Sequence, residues 1–474
     1  MRNLLLFAAL ALPLAGQDYD IVLRGGRVMD PETKLDAVRD VGIRGGTVAA
    51  LSETPLAGKR TIDVRGLVVA PGFIDLHSHG QDLENQRYKA ADGVTTALEL
   101  EIGTADVAGW YREREGRRLI HTGVSAGHVP ARIEVMREPN PGVFVPSGDA
   151  AHRAATDEEI TAMKRRLEQG LAAGALGAGF GLQYTPAASR SEVLEMFRAA
   201  GAAHAAAFVH LRYMGAREPA NALSALEEVL AAAAVSGAAV HVVHITSSGL
   251  RQTPGLLRAI AEARAHGIDI TTECYPYTAA QTELQSAMFD EGWQQVLGVD
   301  YGALEWAETG ERLDAASFAR YRRQGGMVIM HMIPEEIARL AVASPLTMIA
   351  SDGYIARGKG HPRGAGTFAR ALGYYVREQN ALGLMDALGK MTLEPARRLE
   401  ARASGMRRKG RIQAGSDADI TVFDPRTVAD RATFRQPTLA SAGIRWVLVA
   451  GVPVIADGRL DDSVRPGRAI RASH

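Results

Sequence analysis

Cysteine is almost absent from this chain. Cys274 is the single thiol in 474 residues, which excludes an internal disulfide and any zinc cage built from several thiolates. Net charge is absent too. Lys plus Arg and Asp plus Glu number 54 each, and no basic stripe breaks the balance, so nucleic acid binding has no electrostatic footprint. Beyond the N-terminal leader, no apolar run has the length a membrane-spanning helix needs, about 20 residues. No histidine-linked serine or cysteine arrangement is evident either, which argues against covalent catalysis.

What is present is enough for a large barrel and a smaller domain. Apolar residues make up 46% of the chain, so a large core can be buried. The first residues combine Arg2, an apolar stretch from Leu4 to Leu14, and the small pair Ala15 and Gly16. That is the pattern of a secretory signal peptide over residues 1–16, cleaved before Gln17. It predicts an exported protein, periplasmic or secreted, with no membrane segment after processing. No cysteine follows the apolar run, so lipid attachment is not expected.

The two ends of the mature chain share a texture. YDIVLRGGRVMDP, DVGIRGGTVAAL and TIDVRGLVVAPGF read as short strands broken by Gly-Gly and Asp-Pro turns, and so do GRIQAGSDADITVFDP and IRWVLVAGVPVIADGRL. Residues 17–69 and 403–474 therefore predict one small β-sandwich domain formed from both chain ends. Between them, over 70–402, apolar strand runs alternate with Ala-rich helical runs. An example is ANALSALEEVLAAAAVSGA before AVHVVHITSSG. This alternation predicts an α/β fold of the (β/α)8 TIM-barrel type. Residues 289–323, with Trp293, Trp306 and many charges, are too long for a simple connection. They read either as a lid or as a helical surface insertion.

Candidate ligands sit at the ends of the strand-like runs, where such a barrel builds its site. His77 and His79 lie two apart in PGFIDLHSHG; alternate residues of a strand share a face, so both imidazoles point into the barrel mouth. In TTALELEIG the same alternation turns Thr95, Ala97, Glu99 and Glu101 inward, and Leu98 and Leu100 toward the helices. Two inward carboxylates are costly unless they meet a cation. Glu101, nearer the strand end, is the favoured ligand, and Glu99 is a second ligand or a group behind the first. His210 in AAAFVHLRYMG and His244 in AVHVVHITSSG each close an apolar run. Asp352 follows LTMIA and precedes Gly353, and a carboxylate there can take a proton from water and pass it to a leaving nitrogen. Imidazoles and carboxylates gathered from successive strands are what a hydrolytic zinc site uses. Arg363 in GKGHPRGAGTFAR suits a bidentate grip on a substrate carboxylate. Tyr184 and Arg212 are candidates for orienting substrate. His241 lies off the strand face of His244 and reads as structural, and Cys274 reads as a packed small residue.

These motifs together resemble the amidohydrolase superfamily and, within it, the D-aminoacylase (N-acyl-D-amino-acid deacylase) family. The resemblance covers PGFIDLHSHG, GVTTALELEIG, FGLQYTPA, HLRYMG, TTECYPYTA, ASDG, GHPRGAGTFARALGYYVRE, MTLEPARRL and KGRIQAGSDADITVFDPRTVADRATFRQP. It implies a zinc-dependent barrel with a flanking β-sandwich that hydrolyses the amide of N-acyl-D-amino acids. By that likeness His210 and His244 are zinc ligands, His77 and His79 form the first-strand metal motif, Asp352 is the acid/base and Arg363 meets the α-carboxylate. The chain departs from the family in one place. A metal-ligating cysteine is usual at the end of the second strand, near Ile102 here, and only Glu101 and Glu99 stand nearby to replace it. A carboxylate bridge favours a two-metal site, so one or two Zn2+ ions are expected. No lysine ends the fourth strand, which weighs against a cyclic-amide hydrolase of the hydantoinase or dihydroorotase sort. A dipeptidase acting on D-amino-acid or isoaspartyl peptides is a further rival, and so is a non-enzymatic scaffold of the same fold. The expected partner is a small molecule bearing an amide and a carboxylate; a homo-oligomer is compatible with the sequence.

Overall fold

The computed structural model describes residues 19–139 and 144–473; the expected signal peptide lies outside the described residues. Eight parallel strands run in sequence order: Phe73–Asp75, Val94–Thr104, His121–Gly127, Gly177–Gly181, Ala206–His210, Val240–Val242, Ile270–Cys274 and Thr347–Ile349. Each pairs in parallel with the next. The helices between them carry the stops their sequences imply. The helix Asp157–Ala172 opens on a capping box of Thr156 and Glu159. The helix Ala222–Ser236 is capped by Asn221 and ends on Gly237, whose φ of 69° few other residues adopt.

Two layers of side chains divide the barrel. Outside, Ala97, Val124, Ala207, Val209, Val240 and Val242 pack against helix residues such as Met163, Leu167, Val193, Met196, Leu226 and Ile260. Inside, Ile74, Leu76, Leu98, Leu100, Phe208 and Met348 form the filling, closed below by Ala396, Leu399 and Met406. Leu98 and Leu100 thus face the interior and Ala97 faces the helices, the reverse of the alternation read from the sequence. The acidic residues still reach the mouth, because a large bulge follows Glu99 in the second strand. Glu99 pairs with Val124, but the next register is Thr104 with Ala126. Five residue steps on one strand therefore stand against two on its neighbour. Gly103, at φ 69°, makes the loop, and the excess chain swings the acidic residues over the rim.

No ladder joins the first strand to the last. The gap is closed at the rim, where the Asp352 N–H donates to the His77 carbonyl at 2.8 Å and the His79 N–H to that of Gly353 at 3.1 Å. A buried polar clasp backs them. Asp75 accepts from the Ser351 N–H at 2.9 Å and from its hydroxyl at 2.6 Å, and Lys89 reaches Asp75 at 2.9 Å and also meets the Ser351 hydroxyl.

Strands from both chain ends form one nine-stranded sheet. Its joint is the antiparallel pairing of Val68–Pro71 with Ile420–Phe423. It encloses its own core, in which Ile21, Leu23, Val41 and Val69 meet Ile420, Val422 and Leu448. The last residues leave this sheet and run under the barrel, where the Ile470 N–H donates to the Thr122 carbonyl at 2.8 Å. The insertion between the seventh and eighth strands is wider than residues 289–323. A four-stranded antiparallel sheet of Ala279–Glu283, Leu304–Trp306, Glu311–Arg312 and Met327–His331 packs on its own apolar core of Trp293, Leu304, Trp306, Phe318 and Met330. It stands over the barrel mouth.

Candidate metal centre

His77, His79, His210, His244, Glu101 and Asp352 all arrive at the mouth and are buried or nearly so. Their donor atoms form two groups that share Glu101. In one, single ligand atoms of His77, His79, Glu101 and Asp352 lie within 4.8 Å of one another; in the other, those of Glu101, His210 and His244 do. The shared carboxylate faces both ways. Its Oε2 lies 2.9 Å from His77 Nε2 and 3.0 Å from His79 Nε2. Its Oε1 lies 2.6 Å from His210 Nδ1 and 3.5 Å from His244 Nε2. Asp352 Oδ1 completes the first group at 3.2 Å from His79 Nε2 and 3.5 Å from His77 Nε2.

Each imidazole is held by its outer nitrogen. His77 Nδ1 donates to Glu273 at 2.7 Å, His79 Nδ1 to Glu99 at 2.8 Å and His210 Nε2 to the Gln183 side-chain oxygen at 2.8 Å, while His244 Nδ1 meets the Ser247 hydroxyl at 2.9 Å. Such outer partners fix the tautomer and turn the inner lone pair to a common point. The inner nitrogens crowd accordingly, His77 against His79 at 3.2 Å and His210 against His244 at 3.1 Å. Two residues of this rim sit in left-handed backbone, His244 at φ 32° and Asp352 at φ 51°. Neither is glycine, so each conformation costs about 1–3 kcal/mol and marks a functional constraint.

The field at the mouth is strongly negative. Burial by itself pushes the His77 imidazolium pKa down, yet the Asp352 and Glu101 carboxylates and the bonds to Glu101 and Glu273 outweigh it and hold it at about 10. His79 is raised for the same reasons, with Glu99 first among the carboxylates. Burial pushes Glu101 and Asp352 upward, but their cationic neighbours win and both lie well below the usual carboxylate range. His77 leads for Glu101, and the Arg363 guanidinium leads for Asp352. A divalent ion is the natural occupant of such a field.

The remaining expected residues divide. Glu99 stands outside both donor groups: one oxygen accepts a hydrogen bond from His79 Nδ1 and the other accepts from the Ile102 and Gly103 N–H groups. Its place is behind His79. Arg363 is 1% exposed and reaches Asp352 Oδ2 at 2.9 Å. Its guanidinium lies 4.5 Å from the Tyr275 ring centre, and its Nε and Nη1 have no partner. Arg363 lines a pocket whose wall also includes Tyr184, which accepts from the Thr282 hydroxyl at 3.0 Å. Arg212 is a correction. It points away from the mouth and spends its donors on Glu228, at 2.7 and 2.8 Å, and on the Pro186 and Ala188 carbonyls. It braces the wall of the barrel and touches no part of the pocket.

Three partners were not anticipated, Glu273, Gln183 and Ser247, which orient ligands; His241 donates to Glu273 at 3.0 Å. His241 thus keeps its structural role, one residue removed from His77. Glu273 was open to the same reasoning as Glu101, since an inward carboxylate in TTECYPYTA needs a cationic partner. Cys274 beside it is buried in the outer layer, where desolvation lifts its thiol pKa to about 12.

A barrel of this topology with a two-part histidine–carboxylate mouth defines the amidohydrolase class, and the chain belongs to the Amidohydrolase family, whose model matches residues 68–451. Among the relatives it resembles are two proteins of Alcaligenes xylosoxydans xylosoxydans. An N-acyl-D-glutamate deacylase is 33% identical over 96% of this chain and 97% of its own length. A D-aminoacylase is 33% identical over 92% and 95%. Among solved structures, the N-acyl-D-glutamate deacylase of Bordetella bronchiseptica, complexed with zinc and a phosphonate mimic of the tetrahedral intermediate, superposes with a TM-score of 0.81. Its identity is 29%, covering 96% of this chain and 100% of that one.

Proposed function

We propose that this protein hydrolyses the amide of N-acyl-D-amino acids with zinc held at the barrel mouth. The observation that carries the reading is the turning of every imidazole. Four outer nitrogens are engaged, and four inner nitrogens converge on Glu101 and Asp352. His77, His79, Glu101 and Asp352 would hold one ion; Glu101, His210 and His244 would hold the other. The donor set fits zinc, which accepts nitrogen and carboxylate oxygen ligands in small numbers. Zinc there supplies Lewis acidity and makes hydroxide available near neutral pH.

The chain's own groups do the rest. Arg363 aims its free Nε and Nη1 donors at the substrate carboxylate, which fixes the amide over the donor cluster. Asp352 Oδ2 is tied to Arg363, so Oδ1, which faces the donor cluster, is the oxygen placed both beside the ion site and within reach of the attacking water's proton. The same oxygen returns that proton to the departing nitrogen as the C–N bond breaks. The products are the free D-amino acid and the carboxylate of the acyl group. The insertion, over the mouth, keeps bulk water out. At the end of the fourth strand stands Gln183, bonded to His210, where a lysine would serve a carbamate-bridged hydantoinase-type site. The N-terminal leader supports placing this activity outside the cytoplasm.

Zinc removal is the test. Purified protein is expected to carry zinc and to release D-amino acid from N-acetyl-D-amino acids. Chelation should abolish that release and added zinc restore it. Full turnover by metal-free protein would sink the reading.

A further inference from the structure

The reaction proposed above turns on the aim of one carboxylate, and the backbone that carries it is strained. Asp352 sits at φ 51°, a conformation that persists in a residue other than glycine only where its surroundings impose it. No strand ladder does so, because the eighth strand ends at Ile349 and has no ladder to the first. The constraint comes from behind the turn. The Ser351 hydroxyl accepts from the Gly353 N–H at 3.0 Å, so the chain at Asp352 is wrapped around it. That hydroxyl donates to Asp75 Oδ2 at 2.6 Å and accepts from Lys89 Nζ, which also reaches Asp75 Oδ2 at 2.9 Å. Asp75 Oδ1 accepts from the Ser351 N–H at 2.9 Å and from the His77 N–H at 3.2 Å. Lys89 comes from the helix Leu83–Ala91 and is 1% exposed, and Asp75 and Ser351 are fully buried. A Cβ at Gly353 would stand 2.8 Å from Lys89 Nζ, so glycine is what lets the ammonium approach the turn.

From this we infer that Lys89 is a positioning residue for the hydrolysis and holds the acid/base Asp352 through Ser351. The inference rests on the hydrolase reading above. Lys89 belongs to neither donor group and does not line the pocket. It acts on the two neighbours of Asp352: Ser351 directly, and Gly353 through the Ser351 hydroxyl. The residue left between those two anchors is the one whose carboxylate must face the donor cluster. The Lys89 ammonium also balances the buried charge of Asp75, which ties the same turn to the backbone of His77.

Kinetics of zinc-loaded full-length protein, with the N-acetyl-D-amino acid it cleaves fastest, decide the matter. Lys89→Met should lower kcat about 10–100-fold, the scale of a reacting group held loosely by its outer partners. KM should stay within about threefold of the parent value, because substrate contacts are untouched. Ser351→Ala keeps the Lys89–Asp75 pair, so it folds even where Lys89→Met leaves Asp75 too costly to bury. Its kcat should fall in the same way. Parent kcat in either folded variant overturns the inference. A cycle with Asp352→Asn separates positioning from bracing. In that background Lys89→Met or Ser351→Ala should cost less than about threefold, since the group it acts through is already gone. A second loss of full size would mean that the clasp acts elsewhere, and would overturn the inference while leaving amide hydrolysis standing. If the parent protein releases no D-amino acid, the hydrolase reading fails by itself, and the clasp is read in crystal structures of the parent and of Ser351→Ala. Asp352 leaving left-handed backbone, with its 2.8 Å bond to the His77 carbonyl lost, upholds the positioning; an unmoved Asp352 overturns it.

Discussion

Two buried clusters in this molecule mix histidine with carboxylate, and they balance their charge differently. Behind the barrel wall, Glu192 accepts from His128 at 2.7 Å and from the Arg132 guanidinium at 2.5 and 2.6 Å. One anion meets one cation, and burial, which would raise the Glu192 pKa, is outweighed by these two partners. At the mouth, Glu99, Glu101, Glu273 and Asp352 converge on the imidazoles, and the one guanidinium in contact is that of Arg363, on Asp352. The first cluster closes with side chains alone and serves as a brace. The second closes only if its imidazoles take up protons, as the raised His77 and His79 values record, or if a cation enters. Buried charge that side chains leave uncompensated is the physical mark of a ligand site.

The sharpest way to break this contrast is to remove the shared carboxylate. Glu101→Gln should lower kcat/KM by about 10^4-fold or more, since both donor groups lose a member. Elemental analysis should show zinc lost from the purified variant. A variant with normal zinc content and turnover would mean that the bridge is incidental. Asp352→Asn is the next largest. It should cost about 10^2–10^4-fold in kcat while zinc remains at Glu101, His210 and His244, because that group does not include Asp352.

How far the sequence led depends on how locally each residue is determined. His77, His79, His210, His244 and Asp352 each close an apolar run, and a strand end of a parallel barrel has one place to point. The acidic pair was found for the wrong reason. Alternation in the opposite phase turned Leu98 and Leu100 outward, whereas both belong to the filling, and it is the bulge at Leu100–Gly103 that lifts Glu101 over the rim. A bulge of that size leaves little trace beyond one glycine. Arg212 failed because nearness to His210 in sequence says nothing once the strand has ended, and its partner, Glu228, sits on the following helix. The pocket's methionines, Met214, Met288, Met327, Met330 and Met332, were invisible for a related reason: separate segments contribute them, and no local pattern joins them.

The brace predicts the opposite response. Arg132→Met leaves Glu192 and His128 buried without their cation, which should destabilise the fold by about 3–5 kcal/mol. Thermal unfolding should register the loss, while zinc content and kcat per folded molecule stay as in the parent protein. A loss of zinc without a loss of stability would erase the distinction between the clusters.

The smallest expected effect probes the boundary between the two roles. Glu273 belongs to the mouth by contact with His77, yet it is tied from behind by His241, which is in turn bonded to Thr271 at 2.8 Å. Burial alone would raise its pKa, but the bonds from His241 and His77 hold it at about 2. It therefore stays an anion that accepts from His77 Nδ1, fixes the ring's orientation and raises its basicity toward a cation at the inner nitrogen. Glu273→Gln retains the shape and one acceptor but gives up the charge. Zinc affinity, read by competition with a chelator, should weaken about 10–100-fold, with the melting temperature little changed. Unaltered affinity with lowered stability would move Glu273 from the metal centre to the brace, and with it the line between what holds this barrel together and what holds its ion.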